Sequence, residues 1–124
     1  MTNDQQGQSF VEEALHDYKE GMGDLEHKMP KLAKQYKAFT DECFKEGKLS
    51  KKTKQLIALA VSIEAQDEYC MIYHTKGSLD EGCSEDELLE TIGVASAFGG
   101  GAAMSQAVTV VQEAMQTFGG NQSH

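Results

Sequence analysis

Apolar residues recur along this chain at helical spacing, and no segment sustains the alternation of a β-strand. Ser9 and Glu12 have the form of a capping box, and Phe10, Val11, Ala14, Leu15, Tyr18 and Met22 repeat behind them until Gly21 and Gly23 interrupt the pattern. A first helix over about residues 10–21 follows. Pro30 suits a first helical position, and Leu32, Tyr36, Phe39 and Cys43 form a stripe that stops at Gly47, predicting a second helix over about 30–46.

Ser50 is placed to cap a third helix whose segment Leu56 to Ile63 is apolar nearly all round, the mark of a helix surrounded by others. One helix from 51 to 82 would be improbably long, so the polar stretch after Ile63 predicts a break near Asp67. Asp67 then caps a fourth helix that carries Cys70, Tyr73 and His74 and ends at Gly82. Ser84 with Glu87 is a second capping box and opens a fifth helix to about residue 98. Gly99, Gly100 and Gly101 form a hinge. Met104, Ala107, Val108, Val111, Met115 and Phe118 mark a sixth helix, ending at Gly119 and Gly120 before a tail expected to fray. The expected fold class is all-α, in a single domain over residues 1–124 with no internal repeat or linker.

Composition narrows the function classes. The formal charge is −9, and all 11 basic residues are lysines, so the field repels phosphates and no nucleic-acid partner is expected. The missing arginine also removes the side chain that clamps carboxylates in bidentate fashion. The first residues carry neither a basic region nor an apolar run, and the longest apolar run, Leu56 to Val61, is too short to span a bilayer. A cytoplasmic protein with no membrane partner is expected. Three cysteines, Cys43, Cys70 and Cys83, at unrelated spacings point to reduced thiols.

The strongest chemical constellation is the stretch from Asp67 to His74. Cys70 and His74 are four apart and share a helix face, which brings a thiol and an imidazole within reach of one another. In the first turn behind an Asp67 cap, backbone N–H groups and the helix dipole favour a thiolate. An imidazolium at His74 pushes the same way, and the Asp67 carboxylate opposes it. The alternative reading of the same residues is Cys70 as a small apolar filler and His74 as a satisfied polar residue.

Asp67, Cys70 and His74 also lie at i, i+3 and i+7, but one helix face does not supply a full coordination shell and no second Cys/His pair stands nearby, so no metal is expected. No strand precedes the glycine run and no Lys-Ser/Thr pair follows it, which favours close helix packing over a phosphate loop. His16 and His27 read as solvent-facing, and Lys48, Lys51, Lys52 and Lys54 as an exposed cluster without a function.

The segment from Lys48 to Ala103, KLSKKTKQLIALAVSIEAQDEYCMIYHTKGSLDEGCSEDELLETIGVASAFGGGAA, resembles the core of the carboxymuconolactone decarboxylase / AhpD-like family. The matching elements are the K-L-x-x-K-T-K entry (Lys48 to Lys54), the apolar helix, Tyr-Cys with His four residues on, the E-G-C-S-E-D-E turn and the glycine-rich hinge. The resemblance implies an AhpD-like bundle of about six helices assembled as a homotrimer or a homohexamer. The peroxidatic branch of the family carries E-x11-C-x-x-C-x-x-x-H. Laid onto this chain, its second Cys falls on Cys70 and its His on His74, whereas its first Cys falls on Asp67 and its Glu on Gln55.

The resemblance therefore implies a thiol-dependent, antioxidant oxidoreductase of the peroxiredoxin or alkylhydroperoxidase kind, without a cofactor. Asp67 cannot form a disulfide, so the expected mechanism is one-cysteine: Cys70 attacks a hydroperoxide, His74 assists the proton, and an external thiol reductant resolves the sulfenic acid. Gln55 can hold a hydrogen bond but cannot carry a proton as Glu does, and Asp67 is placed to orient His74. An exposed Cys70 with a low pKa is the requirement, and Cys83 is the alternative resolver. Two other readings are a non-catalytic member that binds a small molecule or serves structurally, and a lactone enzyme like carboxymuconolactone decarboxylase, which would rely on an Arg this chain lacks.

Overall fold

The computed structural model describes residues 9–119, and both the first eight residues and the tail from residue 120, including its expected fraying, lie outside that range. The described chain is all-α: α1 (Phe10–Lys28), α2 (Pro30–Phe44), α3 (Lys51–Ala65), α4 (Glu68–Asp80), α5 (Glu85–Gln106), a π-helical turn (Ala107–Val111) and α6 (Gln112–Gly119). Both capping boxes form. The Ser9 hydroxyl accepts the Glu12 N–H at 3.2 Å, and the Ser84 hydroxyl accepts the Glu87 N–H at 3.1 Å. Ser50 caps α3 by accepting the Thr53 N–H at 3.0 Å.

Two boundaries differ from expectation, the end of α1 and the glycine hinge, while the break between α3 and α4 falls at Asp67 as expected. Gly21 and Gly23 do not end α1, which runs on to Lys28; a glycine costs an exposed helix only about 1 kcal/mol, and the surrounding turns absorb that. The break after α3 needs no glycine: Gln66 adopts the left-handed conformation (φ 58°, ψ 42°), its N–H bonds the Ile63 carbonyl, and the Asp67 N–H bonds the Ser62 carbonyl, each at 3.0 Å. That pair of bonds is a Schellman closure. At the hinge, Gly100 alone leaves helical geometry (φ 79°, ψ −162°), a region open to glycine, and the helix resumes immediately, so the fifth and sixth expected helices are nearly continuous.

The core is built around α3. Leu59 and Ile63 are fully buried and pack with Met71 and Leu79 of α4, Leu88, Ile92 and Ala95 of α5, and Val111 and Met115 near the C-terminal end. A smaller cluster joins Val11, Ala14 and Leu15 of α1 to Ile72 of α4 and Ala114 of α6. Thus α4 is gripped on two sides, which fixes the face that carries Cys70 and His74. The stripe of α2 behaves otherwise: Leu32, Tyr36 and Phe39 are about half exposed or more, and Ala33 is the helix's buried residue. Val61, Val94 and Phe98 are also exposed, Phe98 by 82%.

The apolar stretch from Glu85 to Gly119 is long enough by length and composition to cross a bilayer, a match that the short run Leu56 to Val61 did not suggest. In this fold its residues Leu88, Ile92, Ala95 and Ala103 belong to the core around α3, and the helix breaks at Gly100.

Candidate functional site

The two-residue joint between α3 and α4 sets the site. Gln66 ends one helix and Asp67 starts the next, its Oδ1 accepting the Cys70 N–H at 3.2 Å. Cys70 is thereby held in the first turn of α4, and His74 follows one turn later. The two line the same open cleft of about 520 Å³, whose apolar wall comes mainly from Leu49, Ile57, Ala58 and Val61. On their other side is a second hollow of about 290 Å³, walled by Tyr18, Tyr36, Tyr69 and Tyr73. Cys70, His74 and Phe44 border both.

Aromatic rings and one amide fix the imidazole. Phe44 stacks on His74 with ring centroids 5.6 Å apart, and Tyr73 meets it edge-on at 5.2 Å. From α3, the Gln55 Oε1 lies 3.0 Å from His74 Nδ1, so Nδ1–H donates to the amide oxygen and Nε2 keeps its lone pair. The four residues singled out in the sequence are thus brought to one place. Asp67 acts as helix cap and Gln55 holds His74.

Of the opposing influences on Cys70 that the sequence left open, burial and Asp67 prevail over the helix dipole. Burial, the Asp67 hydrogen bond and the Asp67 charge push the Cys70 thiol up from 9.0 to about 11. Burial also lowers His74 below its ordinary 6.5, with Asp67 pulling the other way. At neutral pH the pair is therefore thiol and neutral imidazole. The helix N-terminus does not produce a thiolate here because desolvation and an adjacent carboxylate both oppose it.

Two placements were not legible in the sequence. Cys83 is buried in the core, its Sγ 3.9 Å from the Lys52 carbonyl oxygen, and its thiol is raised by burial and then by Glu87; the cysteine that shares the cleft with Cys70 is Cys43. Lys54 is no idle member of a basic cluster: its ammonium donates to the carbonyls of Cys43 (2.9 Å) and Lys45 (2.7 Å), closing the C-terminal end of α2 onto α3. Lys52 pairs with Glu87 at 3.1 Å. His16 is exposed and contacts Glu20, and His27 is exposed. Among the described residues, no three His, Cys, Asp or Glu side chains converge as a metal site would require.

Fold and site together define a small all-helical protein with a thiol and an imidazole facing an apolar cleft. The chain belongs to the carboxymuconolactone decarboxylase family, whose sequence profile matches residues 30–113. It is 40% identical over 70 residues to uncharacterized protein 4 in the cox locus of Paracoccus denitrificans; the match takes in 56% of this chain and 63% of that one, so the chain spans under two thirds of that relative's length. The fold is similar to that of a carboxymuconolactone decarboxylase family protein from Legionella pneumophila in its apo form, at 30% identity and a TM-score of 0.83 over 87% of this chain and 96% of the other. It is also similar to a family member from Thermotoga maritima, described as a candidate participant in an antioxidative response, at 22% identity and a TM-score of 0.72 over 89% and 96% of the two chains.

Proposed function

We propose that this protein is a one-cysteine thiol oxidoreductase that reduces apolar organic hydroperoxides at Cys70, with His74 as the proton carrier. The observation that carries the reading is the placement of both side chains on one face of α4, against a cleft of about 520 Å³ with an aliphatic wall. The low thiol pKa required of a preformed thiolate is not met, since Cys70 lies at about 11, so on this reading the thiol is activated during the attack, by proton transfer to His74, rather than before it. As Cys70 Sγ attacks the terminal peroxide oxygen, an S–O bond forms, the O–O bond breaks, and His74 takes the thiol proton and returns it to the leaving alkoxide. Cysteine is oxidised to sulfenic acid and the hydroperoxide is reduced to an alcohol. An external thiol then condenses with the sulfenic acid, releasing water, and a second thiol restores Cys70.

The aliphatic wall favours a substrate with an alkyl or aryl tail over hydrogen peroxide. A cytoplasmic setting, where thiols are kept reduced, suits the reductant. Assembly of several copies, as a homotrimer or homohexamer, is part of the reading and would cover the exposed faces of α2 and α5. The lactone reading is less well supported: the cleft's one lysine, Lys54, already gives its ammonium to two carbonyl oxygens.

The test is single-turnover sulfenate formation at Cys70, trapped with dimedone in Cys43→Ser/Cys83→Ser protein, using cumene hydroperoxide and hydrogen peroxide. Faster trapping with the organic peroxide, slowed by His74→Ala and abolished by Cys70→Ser, is expected. Absence of Cys70 sulfenate with both oxidants would overturn the reading. The raised thiol favours one alternative, a cleft that binds an apolar molecule without turnover.

A further inference from the structure

The geometry points to Gly77 as the residue that fixes the tautomer of His74, acting through the Gln55 carboxamide, which fills the space a side chain at position 77 would take. Gly77 lies on α4, three residues beyond His74, in the interior of a helix where glycine is a poor choice for the backbone. It is not there for an unusual conformation, since it is not among the positive-φ glycines, Gly82 and Gly100. What it provides is room. A Cβ built on Gly77 would stand 2.5 Å from Gln55 Oε1, 2.8 Å from Cδ and 3.1 Å from Nε2, so the three nearest atoms all belong to that one carboxamide. The same Oε1 accepts from His74 Nδ1 at 3.0 Å.

A methyl group at position 77 meets the far end of a flexible side chain, so the helices can stay where they are while the amide swings away. The imidazole then loses the acceptor that holds a proton on Nδ1. Gly77 is thus a positioning residue: it touches neither Cys70 nor a substrate, and it determines which ring nitrogen of His74 keeps the free lone pair. The inference concerns the resting imidazole and stands whether or not the cleft reduces hydroperoxides.

The experiment is nitrogen-15 NMR of histidine-labelled protein above the His74 pKa, comparing wild type, Gly77→Ala, Gln55→Ala and the double variant, with circular dichroism as the folding control. In wild type, Nδ1 is expected at a protonated, pyrrole-type shift and Nε2 at a pyridine-type shift. Both single variants are expected to move the two nitrogens toward averaged positions, and Gly77→Ala is expected to add nothing in the Gln55→Ala background. The inference is overturned if wild-type His74 carries its proton on Nε2, if folded Gly77→Ala leaves both shifts in place, or if Gly77→Ala moves them further once Gln55 is gone. Should Gly77→Ala fail to fold, Gln55→Ala still tests the acceptor, and Gly77→Ala would be shown to act on the helix packing instead, which also overturns it.

Discussion

Replacing Asp67 by Asn separates the two things this side chain does at once. Its Oδ1 caps α4 by accepting the Cys70 N–H, and its charge and hydrogen bond hold the Cys70 thiol protonated. Asn caps a helix about as well as Asp, so Asp67→Asn keeps the cap and removes the charge, whereas Asp67→Ala removes both at about 1 kcal/mol. With the thiol at about 11, roughly one molecule in a thousand carries a thiolate at pH 8. The displacement from 9.0 to about 11 is worth about a hundredfold in thiolate. Burial is the largest of the three causes and keeps at least about a third of that factor on a logarithmic scale, which limits the gain on losing Asp67 to about twentyfold. An Asn oxygen that still accepts from the thiol reduces it further. Alkylation of Cys70 by iodoacetamide across pH, in Cys43→Ser/Cys83→Ser protein, reads this directly. Asp67→Asn should raise the rate at pH 8 by about two- to twentyfold with little loss of thermal stability. An unchanged or slower rate in folded Asp67→Asn protein would refute the electrostatic account.

Other outcomes follow from single features. Burial holds His74 below 6.5 in the folded state, so the unfolded chain binds that proton first as pH falls. The stabilising effect of the neutral imidazole is therefore complete above 6.5 and is lost as pH drops below it, and His74→Gln should flatten denaturant-measured stability between pH 7 and 5. Gln66→Gly should stabilise the fold by up to about 1 kcal/mol, because a residue with a Cβ is strained at φ 58°, and a lower urea midpoint would contradict that. Leu59→Ala, at the centre of the core, should cost about 2–5 kcal/mol in the same urea assay. If copies associate through α5, Val94→Asp/Phe98→Asp should lower the sedimenting mass of the wild-type assembly while the helical circular dichroism is kept.

How far the sequence was legible depended on whether the signal was local. Ser9, Ser50, Asp67 and Ser84 were all readable as caps because capping is decided within four residues. The all-round apolar run of α3 likewise announced the central helix. The stripe on α2 was real, yet nothing in a single chain says whether a stripe meets the same chain or another, and here it meets neither core cluster. The site shows the same limit. Cys70 and His74 are legible as a pair because they lie on one helix, four residues apart. Gln55 was matched by resemblance, but its bond to His74 spans 19 residues and depends on the space left by Gly77. The Lys54 contacts to α2 are equally non-local.

The two departures from the peroxidatic motif also have a joint electrostatic effect that neither shows alone. A Glu at position 55 would place a carboxylate against His74 Nδ1 and favour the imidazolium, which in turn favours a thiolate at Cys70. This chain has an uncharged amide there and puts a carboxylate at position 67, in the first turn beside Cys70 itself. Negative charge has in effect been moved from the imidazole to the thiol. Gln55→Glu/Asp67→Asn reverses that move with two nearly isosteric changes, and Gly77 leaves the room that a carboxylate at position 55 needs. The double variant should raise the His74 pKa above that of wild type and lower that of Cys70, so that Cys70 alkylation at pH 8 exceeds the rate of Asp67→Asn alone. Nitrogen-15 titration of His74 supplies the independent reading. If His74 titrates as in wild type while Cys70 reacts faster, the Asp67 charge acts on the thiol without the imidazole. If His74 rises and Cys70 does not respond, the two side chains are not coupled, and the proton transfer proposed between them fails with that result.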